Sequence, residues 1–209
     1  ADAIVHLAAR PSVPRSITDP VASHLVNATG TVNVLEAARR DRLRHVMCAG
    51  SSSVYGANPE LPKHEGLACR PVSPYAASKL ATESYTIAYA HSYGLPTLAF
   101  RFFNVFGPLQ AAGHAYAAVI PAFVDAALRG QPLPVNGDGT QSRDFTYIDT
   151  LTAVIVDAVN RQVTSDIPVN LAYGTRTDLL TVIDMIRDLL DGDLPVQLTA
   201  DHVDDGQQI

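Results

Sequence analysis

Three short, nearly uninterrupted apolar runs dominate the first half of the chain: Ala3–Ala9, His45–Ala49 and Leu98–Phe103. Runs of this length without polar alternation suit strands buried on both faces, as in a parallel sheet. Helical patterns separate them. Val21–Arg40 places Leu25, Ala28, Val32, Leu35 and Ala38 at helical spacing. Ser73-Pro74 opens a second helix, because serine caps well and proline is favoured at the first helical position. That helix runs through Tyr75–Tyr93 and stops at Gly94, with Pro96 beyond. Strands alternating with helices predict an α/β fold with a parallel sheet.

The second half changes texture after Gly107-Pro108. A helix over Val119–Arg129, a Gly/Asp loop (NGDGTQSRD), a helix from an Asp149 cap to Asn160, a short strand Val169–Ala172 and an amphipathic helix Leu179–Leu190 follow. The predicted organisation is a sheet domain over residues 1–108 and a smaller α/β lobe over 109–209, with some segments of the latter returning to the sheet. Asn58–Pro74, rich in proline, glycine and charge, reads as an excursion loop.

Composition narrows the function. The chain has 209 residues, 47% hydrophobic and 17% charged, with mean hydropathy near zero, which describes a globular protein with a real core. A net charge of −6 excludes a binder of nucleic-acid backbone, which needs a basic stripe. No apolar run is long enough to cross a bilayer. Cys48 and Cys69 form no CxxC pair and the histidines show no ligand spacing, so no metal site is predicted. A reducing cytoplasm is the default compartment.

Tyr75 and Lys79 stand four apart on one predicted helix, so both project from the same face. An ammonium near a phenol favours the phenolate and lowers its pKa from about 10, which suits proton transfer with a substrate hydroxyl. Ser51 lies at the C-terminal end of the second strand, where open α/β sheets bind ligands. A Ser–Tyr–Lys set there can hold an alcohol oxygen while a nicotinamide takes the carbon-bound hydride.

Six segments, HLAA (His6–Ala9), Asn27–Arg39, SSSVYG (Ser51–Gly56), Ser73–Glu83, RFFNVFGP (Arg101–Pro108) and Gly137–Asp149, stand in the order found in extended short-chain dehydrogenase/reductases. The chain resembles that family, in its NAD-dependent epimerase/dehydratase branch, over nearly its whole length. The resemblance implies a Rossmann-like doubly wound parallel sheet with a small C-terminal substrate-binding lobe, and NAD as cofactor. It implies that Tyr75 is the acid and base, that Lys79 lowers its pKa and binds the nicotinamide ribose, and that Ser51 holds the reacting hydroxyl. Leu7, Ala8, Ala9, Arg10, Pro11, Asn27 and Phe103 match cofactor contacts. Ser52, Ser53, Asn104, Val119, Asn136 and Arg143 match contacts to a nucleotide-sugar substrate, with Arg143 as the phosphate clamp. Leu7, Val119 and Phe103 also fit core positions, and Asn27 also fits a residue that pins a turn.

Dehydratases and decarboxylases of the family carry an acid in the hydroxyl cluster, and Ser51-Ser52-Ser53 has none. The implied reaction is therefore C4 epimerisation of a UDP-hexose through a transient 4-keto sugar. Another nucleotide sugar, such as a GDP-sugar or a uronate met by Arg15, stays open, as does an inactive fragment that only binds one. The family's helix pairing implies a homodimer. Its glycine-rich strand–GxxGxxG–helix is missing from these residues, so the resemblance implies about two further βαβ units upstream and an exposed sheet edge without them. The tail after Ala200 departs from the family's GDxR-like turn.

Overall fold

The computed structural model describes residues 1–43, 45–112, 118–190 and 194–199. They fall into two compact units. Of the described residues, the first comprises Ala1–Phe103 and Leu151–Leu171; the second comprises Asn104–Thr150 and the residues described from 172 to 199. The tail after Ala200 lies outside the described residues.

The first unit is built on a parallel sheet of order β1 (Ala3–His6), β2 (His45–Ser51), β3 (Thr97–Phe102) and β8 (Val169–Leu171). Its register runs Ala3↔His45, Val46↔Thr97 and Phe100↔Val169. Every residue of β2 is buried, which is why that segment reads as a continuous apolar run. The first strand stops at His6 instead of continuing to Ala9: Leu7 and Ala8 leave the ladder and are exposed. α3 (Gly30–Arg40) and α4 (Pro74–Tyr93) bring Leu35, Ala38 and Tyr89 against Val46 and Cys48.

Leu25 departs from its predicted place on the buried face. The helix over Val21–Arg40 consists of α2 (Pro20–His24), a π-helical turn Leu25–Thr29, and α3. A π turn inserts one residue into the α repeat, so the apolar phase that holds for Ala28, Leu35 and Ala38 leaves Leu25 outside at 54% exposure. The second predicted helix matches α4: the Ser73 side chain caps it and Gly94 ends it at φ 63°.

The second unit has three two-stranded ribbons: β4 (Asn104–Phe106) with β7 (Phe145–Tyr147), β5 (Leu133–Asn136) with β10 (Val196–Thr199), and β6 (Ser142–Arg143) antiparallel to β9 (Thr177–Asp178). Its core joins Phe123, Ala126 and Ala127 of α5 (Val119–Leu128) to Leu133 and Val135 and to Leu179, Val182, Ile183 and Ile186 of α7 (Leu179–Leu190). α6 (Ile148–Arg161), most of which belongs to the first unit, starts at Ile148, so the predicted cap Asp149 lies inside its first turn, where a carboxylate still favours the helix N-terminus.

The turn after β2 depends on Gly56. It has φ 45°, and a Cβ there would lie 1.9 Å from the Arg70 carbonyl oxygen, which accepts the Ala57 N–H at 3.0 Å. Both the dihedral and the clash oppose a side chain. Gly56→Ala is expected to lower unfolding stability by on the order of 3 kcal/mol in urea titrations, with an unchanged midpoint as the contrary result.

Candidate active site

α4 begins with each first-turn donor assigned. Ser73 Oγ accepts the Ala76 N–H at 3.1 Å and the Ser73 carbonyl accepts the Ala77 N–H at 2.9 Å. Pro74 has no N–H, and the Tyr75 N–H donates to Ser16 Oγ at 3.0 Å. Ser16 is fully buried on the short helix α1 (Val13–Thr18), and its own hydroxyl donates to the Val13 carbonyl at 2.7 Å. The backbone at Tyr75 is thus fixed by a residue 59 positions away. Nothing in the sequence marks Ser16, because a serine inside a short helix carries no signal of a distant partner.

Lys79, one turn along α4, is 5% exposed, and its Nζ donates to the Ala49 carbonyl at 2.9 Å. Ala49 lies two residues before Ser51, so this bond ties the Tyr75–Lys79 helix to the C-terminal end of β2. Burial disfavours the ammonium and pulls its pKa down to about 8. Burial, then the Lys79 charge, also lowers that of His6. Ser51 Oγ accepts from the Ser53 N–H at 3.2 Å and from Ser53 Oγ at 2.9 Å. With both lone pairs engaged, its own proton remains to donate. Ser52 and Ser53 are buried with it.

Asn27 sits in the π turn and is 1% exposed. Its Oδ1 accepts the Arg10 N–H at 2.7 Å, and its Nδ2 donates to the Arg10 carbonyl and, at 2.9 Å, to Ser78 Oγ on α4. The Asn27 side chain therefore pins the Ala9–Arg10 segment to the helix that carries Tyr75. Arg10 also pairs with Asp19 at 3.0 Å, Pro11 is exposed, and Ser12 takes φ 97°, a strained backbone for a residue with a side chain. Phe103 is buried, its ring 6.5 Å from that of Tyr55.

In the second unit, Asn104 donates both its N–H and its Nδ2 to the Asp144 carbonyl, at 3.2 and 3.1 Å. This places it beside Arg143, which is half-buried and donates from Nη1 to the Ser142 carbonyl at 2.9 Å. Val119 is half-buried against the core of that unit. Asn136 is exposed, and its carbonyl accepts from Gln141 Nε2 at 2.6 Å. Among the described residues, no cluster of histidine, cysteine and carboxylates could hold a metal ion, and no helix is long and apolar enough to cross a membrane.

The first unit is a Rossmann-like α/β sheet in which the helix carrying Tyr75 and Lys79 is bonded, through Lys79, to the strand that ends at Ser51. Residues 1–172 match the model of the NAD dependent epimerase/dehydratase family, and the chain belongs to that family. It is 43% identical over 156 residues to a probable UDP-glucuronate 4-epimerase of Rhizobium meliloti, a match covering 74% of this chain and 45% of the relative. It is 40% identical over 158 residues to the UDP-glucose 4-epimerase of Mycolicibacterium smegmatis, covering 75% and 50%. Among solved structures, a UDP-N-acetylglucosamine 4-epimerase from Methanobrevibacter ruminantium, in complex with UDP-N-acetylmuramic acid, superposes with a TM-score of 0.93 at 35% identity, covering 99% of this chain and 65% of that one. The match thus spans about half the length of these two curated relatives.

The Lys79 pKa has a consequence for stability. Its folded value, about 8, lies below its ordinary 10.5, so holding the ammonium costs the folded state about 3 kcal/mol below pH 8. That cost fades as pH rises from 8 to 10.5. Lys79→Met is therefore expected to gain more stability at pH 7 than at pH 10, measured by thermal melts. An equal change at both values would show that the buried ammonium carries no such cost.

Proposed function

We propose that this chain carries the chemical centre of a nucleotide-sugar 4-epimerase that works with NAD. The observation that supports it most is the Lys79–Ala49 bond, which ties the helix carrying Tyr75 and Lys79 to the strand that ends at Ser51, next to a hydroxyl turn without a carboxyl group. The residues present fit the nicotinamide-ribose end of a dinucleotide. Lys79 commits one N–H to Ala49 and keeps two for ribose hydroxyls, and Leu7, Ala8, Ala9, Arg10, Pro11, Asn27 and Phe103 are the proposed remaining contacts. When bound, the cofactor supplies the acceptor and donor of the C4 hydride.

The chain's own residues handle the proton. Tyr75 takes it from the C4 hydroxyl and later returns it, with Lys79 as the neighbouring cation. Ser51 donates to the same oxygen, with Ser52 and Ser53 behind it. Asn104, Val119, Asn136 and Arg143 take the nucleotide part, Arg143 through its planar fork. A serine turn with no acid favours epimerisation over dehydration, because expelling water needs a proton donor at that position.

The proposed substrate is a UDP-hexose of the glucose/galactose type. A uronate is the second reading, and one observation favours it: Arg15 lies on α1 directly before Ser16, the residue bonded to the Tyr75 backbone. Conversion of UDP-galactose and of UDP-galacturonate, followed side by side with NAD present, tests both. Tyr75→Phe is expected to reduce turnover by about 10²–10⁴-fold with folding retained. Conversion unaffected by this substitution would remove the proposed role of Tyr75.

We also propose self-association through α2, the π turn and α4, where Val21, Leu25, Tyr85 and Tyr93 are exposed. A dimer in sedimentation velocity, converted to a monomer by Tyr85→Glu, is the expected result. A monomer at all concentrations would refute it.

A further inference from the structure

The segment from Arg10 to Asp19 is closed into a loop and yet thinly anchored. Asn27 grips Arg10 at its N–H and its carbonyl, at 2.7 and 3.3 Å, and the Arg10 guanidinium meets the Asp19 carboxylate at 3.0 Å. The two ends are thereby tied to each other. Between them Val13 and Ser16 are buried, while Pro11, Pro14, Ile17 and Thr18 are exposed. So little apolar burial puts a segment at the low end of local stability.

Ser12 works against these holds. Its φ of 97° and ψ of 120° lie outside the regions open to a residue with a Cβ. Its Oγ accepts the Arg15 N–H at 3.3 Å, a long cap bond. The strain persists only while the closed loop enforces it, so it favours opening. What opening releases is specific. Ser16 Oγ accepts the Tyr75 N–H at 3.0 Å, across 59 positions of sequence, and without it the first turn of α4 has an unmatched donor beside Pro74.

We infer that residues 10–19 form a strained strap that opens as one unit, and that its closure, through Ser16, holds Tyr75 in place. This rests on the reading of Tyr75 as acid and base, and adds regulation to it. A ligand that binds Arg10 and Pro11 in their closed positions, both proposed cofactor contacts, shifts the strap toward closure and fixes the tyrosine in the same step.

Hydrogen exchange of single amides, followed by NMR on the chain as it stands, reads the opening directly. The N–H groups of Ser16, Asp19 and Tyr75 bond to the Ser12 carbonyl, the Arg15 carbonyl and Ser16 Oγ. They are expected to share one opening equilibrium that low urea hardly changes, whereas the Val46 N–H of the buried strand β2 responds steeply. Ser12→Gly removes the strain, and glycine costs little as a cap, so all three are expected to exchange roughly tenfold more slowly. Ser12→Ala keeps the strain and loses the cap. Asp19→Asn breaks the tie to Arg10 while still capping α2. Both are expected to speed the three amides by roughly threefold. If Ser16 and Asp19 respond while Tyr75 does not, the strap does not hold the tyrosine and the inference falls. It falls equally if Ser12→Gly slows none of them, or if all three follow Val46 in urea and so open only with the whole unit. Turnover plays no part in these rates, so the Tyr75→Phe assay can fail with the strap intact, and the strap can fail with that assay passed.

Discussion

One buried amide, Asn27, organises the first unit. Its side chain closes a two-bond ring with the backbone of Arg10 and reaches Ser78 on α4, while its carbonyl accepts the hydroxyls of Thr31 and Thr82 at 2.6 and 3.1 Å. Three pieces of chain far apart in sequence therefore share one residue. The π turn belongs to this arrangement: the Asn27 carbonyl accepts the Gly30 N–H at the end of the turn and the two threonine hydroxyls beside it. Burying this much polarity is tolerable because the contacts close on one another, and removal of any one would strand its partners away from water.

α4 extends the same logic to charge. Tyr75, Lys79 and Glu83 follow at intervals of four, so one stripe of the helix is polar where an ordinary helix would be apolar. Glu83 takes the Arg101 guanidinium in two bonds of 2.7 Å, with both side chains almost fully buried, and Arg101 also lies over the Tyr55 ring at 4.7 Å. The desolvation of such a pair offsets much of its attraction. What the pair supplies is position: it holds α4 at a defined place along β3, one turn beyond the lysine.

These features explain what could be read from the sequence. Strands β2 and β3 were legible because full burial writes itself as an apolar run, and α4 was legible from Ser73-Pro74 and Gly94 even though its buried face includes Ser78, Lys79, Thr82 and Glu83. Helical spacing put Tyr75 and Lys79 on one face, and the other family segments singled the pair out. The π turn was not legible, since it leaves no composition signal and only its misplaced Leu25 betrays it. Nor were the two-residue strands β6 and β9, too short to show alternation. Ser16 escaped for a different reason, because its partner is a backbone N–H, which every residue except proline possesses.

The hydroxyl of Ser51 has a polarity imposed by its own turn. Both acceptor sites are filled by Ser53, so any outside oxygen that meets Ser51 can only receive a proton's attraction and never supply it. An alcohol and a carbonyl are equally able to accept such a bond, so the contact survives a change in oxidation level without rearranging. The alcohol's hydrogen, denied a partner on that side, must point elsewhere. In the proposed reaction Ser51 would be a one-way valve: the proton would have a single exit, its direction set by a serine that never ionises.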